Sequence, residues 1–205
     1  MFQKDLAKLY TSAYFRKYEH RFINPTLISK MELNKNDRVI DIGCGNGDYT
    51  AYISKFVLYS CGIDFSSEAI SIARKKYPKV HFCQADITKK LPFTDNSFNK
   101  AFCFHVLEHL SEDSISRSLL EIKRIIVGGG IIVFGTLNKS QIFSKLIKDC
   151  THIREFRKKE FIELLNEYFQ IIDYNYLSNA KSFLLRYLLG WFIRPDIAVK
   201  VRNWK

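Results

Sequence analysis

The sequence predicts an α/β fold, a doubly wound and mostly parallel sheet covered by helices on both faces. Between residues 38 and 136, short apolar runs typical of buried strands alternate with runs of helical periodicity. The first of these strands leads directly into a glycine turn and a helix start, in the stretch VIDIGCGNGDYT at residues 39–50. Strands that alternate with helices favour parallel pairing, because right-handed crossovers place each helix on a face of the sheet.

The alternating elements are predicted as follows. Strands are expected at 38–42, 59–64, 80–85, 99–104 and 130–136. Helices are expected between them, at 49–56, 67–77 and 113–126. Beyond residue 136 the pattern predicts helices at 139–148 and 158–168 and two last strands at 169–176 and 197–204.

The N-terminal region is predicted to be helical. Apolar side chains recur at helical spacing over residues 6–23, Asn24-Pro25 breaks this run, and a short helix is expected at 26–31. We therefore predict a single domain over 1–205, with a helical lid at 1–35, a cofactor-binding core at 36–136, and substrate-side elements with the last strands at 137–205.

Composition places the chain among ordinary globular proteins, with 205 residues, 47% hydrophobic and 26% charged. The longest apolar stretch, FLLRYLLGWFI at 183–193, is too short to span a bilayer, and the charged N-terminus has no signal-peptide core. A cytoplasmic protein is expected. The five cysteines show no zinc-site spacing, so reduced thiols and no metal are expected.

The net charge of +11 leaves two interpretations open. Lysines spread over a solvated surface would explain it. So would an anionic partner, such as nucleic acid, an acidic membrane surface or a phosphorylated substrate.

Three of the chain's 9 glycines occupy alternate positions, at Gly43, Gly45 and Gly47. Glycine is favoured where the backbone needs positive φ or where a ligand must approach it closely. A strand, a glycine turn and a helix start, with Asp48 as the expected helix cap, form an arrangement typical of cofactor binding.

Carboxylates follow three successive strands, at Asp41, Asp64 and Asp86. In a doubly wound sheet the ligand lies at the carboxyl ends of the strands. Asp64 is placed to accept from ribose hydroxyls and Asp86 to meet an adenine edge. Because Asp41 and Asp48 flank the glycines, a positively charged nucleoside ligand is favoured over a pyrophosphate, and the G-x-G-x-x-G dinucleotide spacing is missing.

Four stretches together resemble the class I S-adenosylmethionine-dependent methyltransferases, in particular the type 11 small-molecule group. They are VIDIGCGNG, GIDFSSEAISIARKKYP, QADITKKLPFTDNSFNKAFCFHVLEHL and EIKRIIVGGGIIVFGTLN. The resemblance covers about residues 36–177. It implies a Rossmann-like sheet of seven strands with an antiparallel last strand, S-adenosyl-L-methionine as cofactor and S-adenosyl-L-homocysteine as product.

The resemblance also implies the cofactor-binding residues. The methionine part would meet Asp41 and Gly43, the ribose Asp64, and the adenine Asp86. The full set is Asp41, Gly43, Cys44, Gly45, Gly47, Asp64, Phe65, Asp86, Ile87, Phe104 and His105. The alternative for Asp64 and Asp86 is that each caps a following helix. Asn99, and VGGG at 127–130 without a proline, depart from the family pattern at structural positions.

Methyl transfer needs a general base only when the acceptor loses a proton. Potential catalytic bases are His105, His109 and His152, with Glu108 as a further candidate. The alternative for Glu108 and His109 is that they tie the strand end to the adjacent helix.

Aromatic and apolar residues, with basic residues among them, predict a small hydrophobic or lipid-like acceptor. They lie at Tyr10, Tyr14 and Tyr18 and in segments 137–157 and 183–193. Segment 183–193 would cap a substrate pocket or lie on an acidic membrane surface, or else pack as a core helix. The chain end also resembles quinone-biosynthesis O-methyltransferases.

Two other functions stay open. One is a nucleic-acid (RNA) methyltransferase, although FHVL at 104–107 stands where amino-directed base methylases carry Asn/Asp-Pro-Pro-aromatic. The other is a non-catalytic S-adenosylmethionine-binding partner protein. A dehydrogenase is disfavoured by the carboxylates around the glycine turn.

Overall fold

A computed structural model describes residues 23–139, 153–177 and 196–204. The predicted helix at 6–23, most of that at 139–148, and the apolar stretch at 183–193 lie outside these residues. So do Tyr10, Tyr14, Tyr18 and His152.

The described strands form one sheet of seven, in the order β3-β2-β1-β4-β5-β7-β6. They are β1 Arg38–Ile42, β2 Tyr59–Asp64, β3 His81–Gln84, β4 Phe98–Phe104, β5 Ile126–Leu137, β6 Gln170–Leu177 and β7 Asp196–Arg202. Strands β1 to β5 pair in parallel, whereas β7 runs antiparallel to both β5 and β6. The predicted mostly parallel sheet with an antiparallel last strand is confirmed.

Five helices are described along with the sheet. They are α1 Pro25–Ser29, α2 Asp48–Ile53, α3 Ser67–Lys76, α4 Glu112–Ile125 and α5 Lys158–Asn166. A 3-10 turn, Leu107–His109, follows β4. Strand β5 begins four residues before the predicted start at 130 because Ile126 pairs with Phe98, across an irregularity in the β4–β5 ladder.

Alternate residues of the strands supply two cores, one on each face of the sheet. Ala101 and Cys103 of β4 belong to the core that includes α4 and α5, whereas Phe102 belongs to the core that includes Leu27 and Met31 near α1. This alternation follows from the two-residue period of a strand. Helices therefore cover both faces, as a doubly wound sheet requires.

Asn99, a departure from the family pattern, holds the first strands together. Its Oδ1 accepts from the backbone N–H of Arg38 at 2.7 Å, and its Nδ2 donates to Asp37 Oδ1 at 2.8 Å. Lys100 Nζ lies 2.9 Å from the other carboxylate oxygen of Asp37. These contacts give Asn99 the structural role that the resemblance implied.

The carboxyl ends of the parallel strands form the edge that matters for function. The strand order reverses between β1 and β4, and a doubly wound sheet binds its ligand in the crevice at such a point. Asp196, the first residue of β7, pairs with Leu137 of β5 and with Leu177 of β6 at this same edge. The described strands on either side of residues 178–195 therefore meet at the same edge of the sheet as the crevice, with β5 between β7 and β4. Among the described residues, no helix is long and apolar enough to cross a membrane.

Candidate cofactor and active site

The glycine loop after β1 consists of alternating left-handed residues. Gly43, Gly45 and Gly47 have φ values of 74°, 53° and 83°. This is the backbone region in which side chains other than hydrogen are strained, so the alternating glycines are explained. A Cβ on Gly43 would also lie 2.3 Å from Val106 Cγ2, so the loop packs directly against the segment that follows β4.

The end of the loop starts helix α2. Gly47, and not Asp48, is the cap residue, and no side chain caps this helix. The carboxylate of Asp48 instead accepts from Lys76 Nζ at 2.6 Å and from the Tyr77 hydroxyl at 2.5 Å. The prediction that Asp48 caps α2 is therefore wrong, and its charge is neutralised by Lys76. The electrostatic preference of the loop depends on Asp41 and Asp64.

Asp41 is a buried carboxyl group at the end of β1, with 3% of its surface exposed. Burial raises its pKa to about 7, against the hydrogen bond that Thr50 Oγ1 donates at 2.6 Å and with a further rise from the charge of Asp64. Gly62, opposite Asp41 on β2, leaves room for this hydroxyl, since a Cβ there would lie 2.6 Å from it. A cation brought to this carboxyl would relieve the cost of burying its charge.

Asp64 ties the end of β2 to the glycine loop. Its Oδ2 accepts from Gly45 N at 3.0 Å and its Oδ1 from Ser66 N at 2.9 Å. Burial raises the pKa of Asp64 above its ordinary value. These hydrogen bonds and the nearby His109 oppose this rise but do not cancel it. Helix α3 is capped by Ser66, whose Oγ accepts from Ala69 N, so capping does not explain Asp64.

Asp86 lies two residues beyond β3. It accepts from the backbone N–H and the hydroxyl of Thr88, at 3.0 and 2.7 Å, and it pairs with Lys89 at 3.3 Å. Burial raises the pKa of Asp86, but the Thr88 and Lys89 contacts outweigh this and lower it. Asp86 therefore stabilises a turn, and the helix that the capping alternative needed is not among the described elements between β3 and β4.

The other predicted residues after β1, β2 and β3 lie in the turns that follow these strands. Phe65 is held at the end of β3, because its carbonyl accepts from Gln84 Nε2 at 3.0 Å. The side chains of Cys44 and Ile87 are buried, and the backbone of Cys44 is held within the loop, its N–H donating to Ile63 O and its carbonyl accepting from Gly47 N, both at 2.9 Å. A Cβ on Gly47 would lie 2.6 Å from the ring of Phe82, so Gly47 is required for packing as well as for its φ.

Phe104 and His105 end β4 in a constrained conformation. The Phe104 ring lies over Gly135 of β5, where a Cβ would be 1.7 Å from a ring carbon. The His105 ring meets the Phe104 ring edge-on, with centroids 4.3 Å apart. His105 has a φ of 58° and donates its backbone N–H to the carbonyl of Gly135 at 2.9 Å.

Two buried carboxylates approach the His105 imidazole. Nδ1 lies 2.9 Å from Glu108 Oε1, and Nε2 lies 3.6 Å from Asp196 Oδ2. The backbone carbonyl of Glu108 accepts from Ile153 N and Arg154 N, at 3.0 and 3.1 Å. Glu108 thus ties the strand end to a neighbouring segment and also contacts a predicted catalytic residue.

Of the predicted bases, His105 and Glu108 lie together in one cluster with Asp196. The nearby His109 is one of the groups that lower the pKa of Glu108, and it opposes the rise in the pKa of Asp64 that burial causes. His152 lies outside the described residues. Neither Thr50 nor Asp196 was predicted from the sequence. The signal for Asp196 was a carboxylate directly before the predicted last strand at 197–204.

The charges and hydrogen-bonding groups present fit S-adenosylmethionine, the cofactor that the resemblance implies. Its ammonium and sulfonium groups are cationic, and Asp41 is a buried acid whose charge needs a cation. Its ribose hydroxyls and its adenine amino group are hydrogen-bond donors, and the carboxylates of Asp64 and Asp86 would accept from them. The left-handed glycine backbone leaves no side chain in the way.

Comparison with known proteins agrees with this fit. Residues 40–134 match the type 11 methyltransferase domain family. An uncharacterized protein of Methanocaldococcus jannaschii is 35% identical over 134 residues, which is 65% of this chain and 49% of that protein. A demethylmenaquinone methyltransferase of Staphylococcus saprophyticus is 26% identical over 137 residues, 64% of this chain and 57% of that enzyme. The chain thus spans about half the length of these curated relatives.

The fold also matches a solved structure along nearly its whole length. The match is to the complex of the Haloferax volcanii Trm112 methyltransferase activator with a methyltransferase, with a TM-score of 0.78, 15% identity and 98% of each chain covered. At this identity the match shows the fold alone. The domain match, the glycine loop and the strand-end carboxylates agree, and residues 40–134 belong to the type 11 methyltransferase domain family.

Proposed function

We propose that the protein transfers a methyl group from S-adenosylmethionine to a small, hydrophobic or lipid-like acceptor. The observation that carries the proposal is the buried Asp41 carboxyl beside a loop of left-handed glycines. A buried carboxyl with a raised pKa, held in place by a threonine hydroxyl, is a costly feature that a cationic ligand would stabilise.

In this proposal each strand end has one task. Asp41 binds the ammonium group of the cofactor, Asp64 accepts from the ribose hydroxyls, and Asp86 accepts from the adenine amino group. The cofactor itself supplies a methyl group on a good leaving group. The chain's contribution is to align the acceptor with that methyl group and to exclude water. Phe104 stacks on Phe102, with ring centroids 5.7 Å apart, and in this proposal it forms an apolar wall of the acceptor site.

Two features of the chain and the name of one relative support a hydrophobic acceptor. Ile153, whose N–H donates to the Glu108 carbonyl, is an apolar residue 48% exposed beside the site. The apolar sequence at 183–193 connects β6 to β7 at the edge where Asp196 lies. One relative is named a demethylmenaquinone methyltransferase, so its name gives a quinone as the methyl acceptor of that protein. By analogy we place the acceptor of this chain in the same chemical class.

The experiment follows a labelled methyl group. The purified protein is incubated with methyl-labelled S-adenosylmethionine and either a total lipid extract or total RNA. The control variant is Asp64→Ala, which removes the acceptor for the ribose. We expect label in the organic phase with the wild type and a large loss with the variant. Label in RNA alone would favour the nucleic-acid alternative, and no transfer to either would favour a non-catalytic binding partner.

We also propose that the protein contacts acidic membranes at their surface, through the apolar residues at 183–193 and the neighbouring Lys181 and Arg194. Basic residues near such a surface contribute about 1 kcal/mol each and are screened by salt. Co-sedimentation with acidic vesicles should therefore fall at high salt. It should also fall in a variant with Leu185, Leu188 and Trp191 changed to serine. A variant that only loses thermal stability, with no vesicle binding by either protein, would assign the segment to the core.

A further inference from the structure

The imidazole of His105 is held between carboxylates from two distant parts of the chain. Glu108 comes from the 3-10 turn after β4 and Asp196 from the start of β7. The side chains of His105, Glu108 and Asp196 are 12%, 1% and 4% exposed. Two carboxylates this deeply buried around one histidine are costly unless the histidine carries or receives a positive charge.

The contact with Glu108 fixes which ring nitrogen holds the proton. Burial raises the pKa of Glu108, but the hydrogen bond and charge of His105, with a smaller contribution from His109, outweigh this and lower it. Glu108 is therefore ionised at neutral pH and accepts only. Nδ1 of His105, 2.9 Å away, must then donate, which leaves the lone pair of the neutral imidazole on Nε2.

Nε2 points to the side of the ring where Asp196 lies. The Nε2 to Asp196 Oδ2 distance of 3.6 Å exceeds a direct hydrogen bond but is short enough for strong charge stabilisation. A proton taken up by Nε2 would produce an imidazolium with one carboxylate at each nitrogen. In the described part of the chain, carboxylates face the ring from two elements, Glu108 from the 3-10 turn and Asp196 from β7, and Phe104 from β4 supplies an apolar wall.

The backbone at His105 is also unusual. A φ of 58° is uncommon for a residue other than glycine, and such conformations persist where the surrounding structure imposes them. The hydrogen bond from His105 N to Gly135 O, beside the last paired residues of the β4–β5 ladder, holds this conformation.

We propose that His105 accepts a proton from the methyl acceptor and that Glu108 is a positioning residue that fixes its tautomer. This inference rests on the proposed function and narrows the acceptor to a compound with a hydroxyl or phenol group. The acceptor oxygen gains the methyl group as the sulfur–methyl bond breaks, and the bonding electron pair stays on sulfur. The O–H proton passes to Nε2 of His105 and then to solvent. Asp196 stabilises the imidazolium that is formed.

The first test observes the imidazole directly. The tautomers and pKa values of the five histidines are measured by nitrogen-15 NMR in the complex with S-adenosylhomocysteine, and His105→Asn identifies the His105 signal. We expect a proton on Nδ1 in the wild type. In Glu108→Gln, whose amide offers no negative charge, the pKa of His105 should fall by about one unit or more. A proton on Nε2 in the wild type, or an unchanged pKa in Glu108→Gln, would overturn the positioning role.

The second test uses the lipid extract and labelled cofactor. General-base catalysis contributes about 10²- to 10⁴-fold, so kcat of His105→Asn should fall by about this factor. Glu108→Gln should lower kcat less than His105→Asn does. It should also move the acidic limb of the pH profile to lower pH, because the pKa of His105 falls. The matched control is Glu121→Gln, which removes a carboxylate paired with Arg124 on α4, and it should leave the profile unchanged. Full activity of His105→Asn would contradict the proposal.

Calorimetry with S-adenosylhomocysteine separates this inference from the proposed function. Cofactor affinity should stay within about threefold in Glu108→Gln, a change below 1 kcal/mol. If the wild type binds no S-adenosylhomocysteine, the proposed function fails. If it binds and transfers label while the His105 variants behave as wild type, only the base assignment fails.

Discussion

The buried carboxyl of Asp41 predicts that cofactor binding releases a proton. With burial raising its pKa to about 7, Asp41 is about half protonated at pH 7 before a ligand binds. An ammonium group within hydrogen-bonding distance favours the ionised form and lowers the pKa. Binding should therefore release about half a proton at pH 7, nearly one at about pH 6 and almost none at about pH 8.5.

The assay is calorimetry of S-adenosylhomocysteine binding in buffers of different ionisation enthalpy, for the wild type and for Asp41→Asn. Asparagine keeps an oxygen that accepts from Thr50, so the local hydrogen bond is retained. The variant should release no proton from this position. It should also lose about 10- to 150-fold in affinity, since a hydrogen bond to a charged group contributes about 1.5–3 kcal/mol.

The same pKa predicts the pH dependence of stability without ligand. Because the pKa of Asp41 is higher in the folded than in the unfolded chain, its stabilisation is complete below about pH 4 and is lost as pH rises through about 7. Asp41→Asn should then be more stable than the wild type above neutrality, by at most about 4 kcal/mol from a shift of about three units. Proton release equal in the wild type and the variant, with parallel melting curves at all pH values, would refute this reasoning.

Two further predictions use matched pairs of variants. Asp64→Ala should lower S-adenosylhomocysteine affinity about ten- to a thousandfold, because the two proposed charge-assisted hydrogen bonds to the ribose would be lost. The control Ser66→Ala removes only a helix cap, so it should lower thermal stability and leave affinity unchanged. Equal affinity of the wild type and Asp64→Ala would leave Asp64 a purely structural residue. Gly47→Ala and Gly129→Ala both place a side chain at positive φ, but only the former meets Phe82, whereas nothing lies within 4 Å of the latter. Gly47→Ala should therefore lower the free energy of unfolding by about 1–3 kcal/mol more than Gly129→Ala in denaturant titrations, and equal losses would show that Phe82 moves aside.

Local sequence was sufficient where one short segment determines its own conformation. The boundaries of β1 and β2 were predicted because each is an apolar run closed by polar residues, and the left-handed loop because only glycine favours three such positions in five residues. The start of β5 was not predicted correctly, because it depends on the pairing of Ile126 with Phe98, a residue of a different strand.

The site shows the same division. Asp41, Asp64 and Asp86 follow strands, so their shared edge could be predicted from topology. The partners of Asp48 could not, because Lys76 and Tyr77 reach it from the end of another helix. His105 and Asp196 are far apart in the sequence. They come into contact because β7 runs antiparallel to β5, which places the start of β7 at the carboxyl ends of the parallel strands.

Calorimetry of the wild-type protein with S-adenosylhomocysteine and with NAD, at the same concentrations, tests the identity of the cofactor most directly. The carboxylates at the glycine loop favour the ammonium group of the former and repel the pyrophosphate of the latter. Measurable binding of S-adenosylhomocysteine, with none or much weaker binding of NAD, is the predicted result. Tighter binding of NAD would contradict the claim.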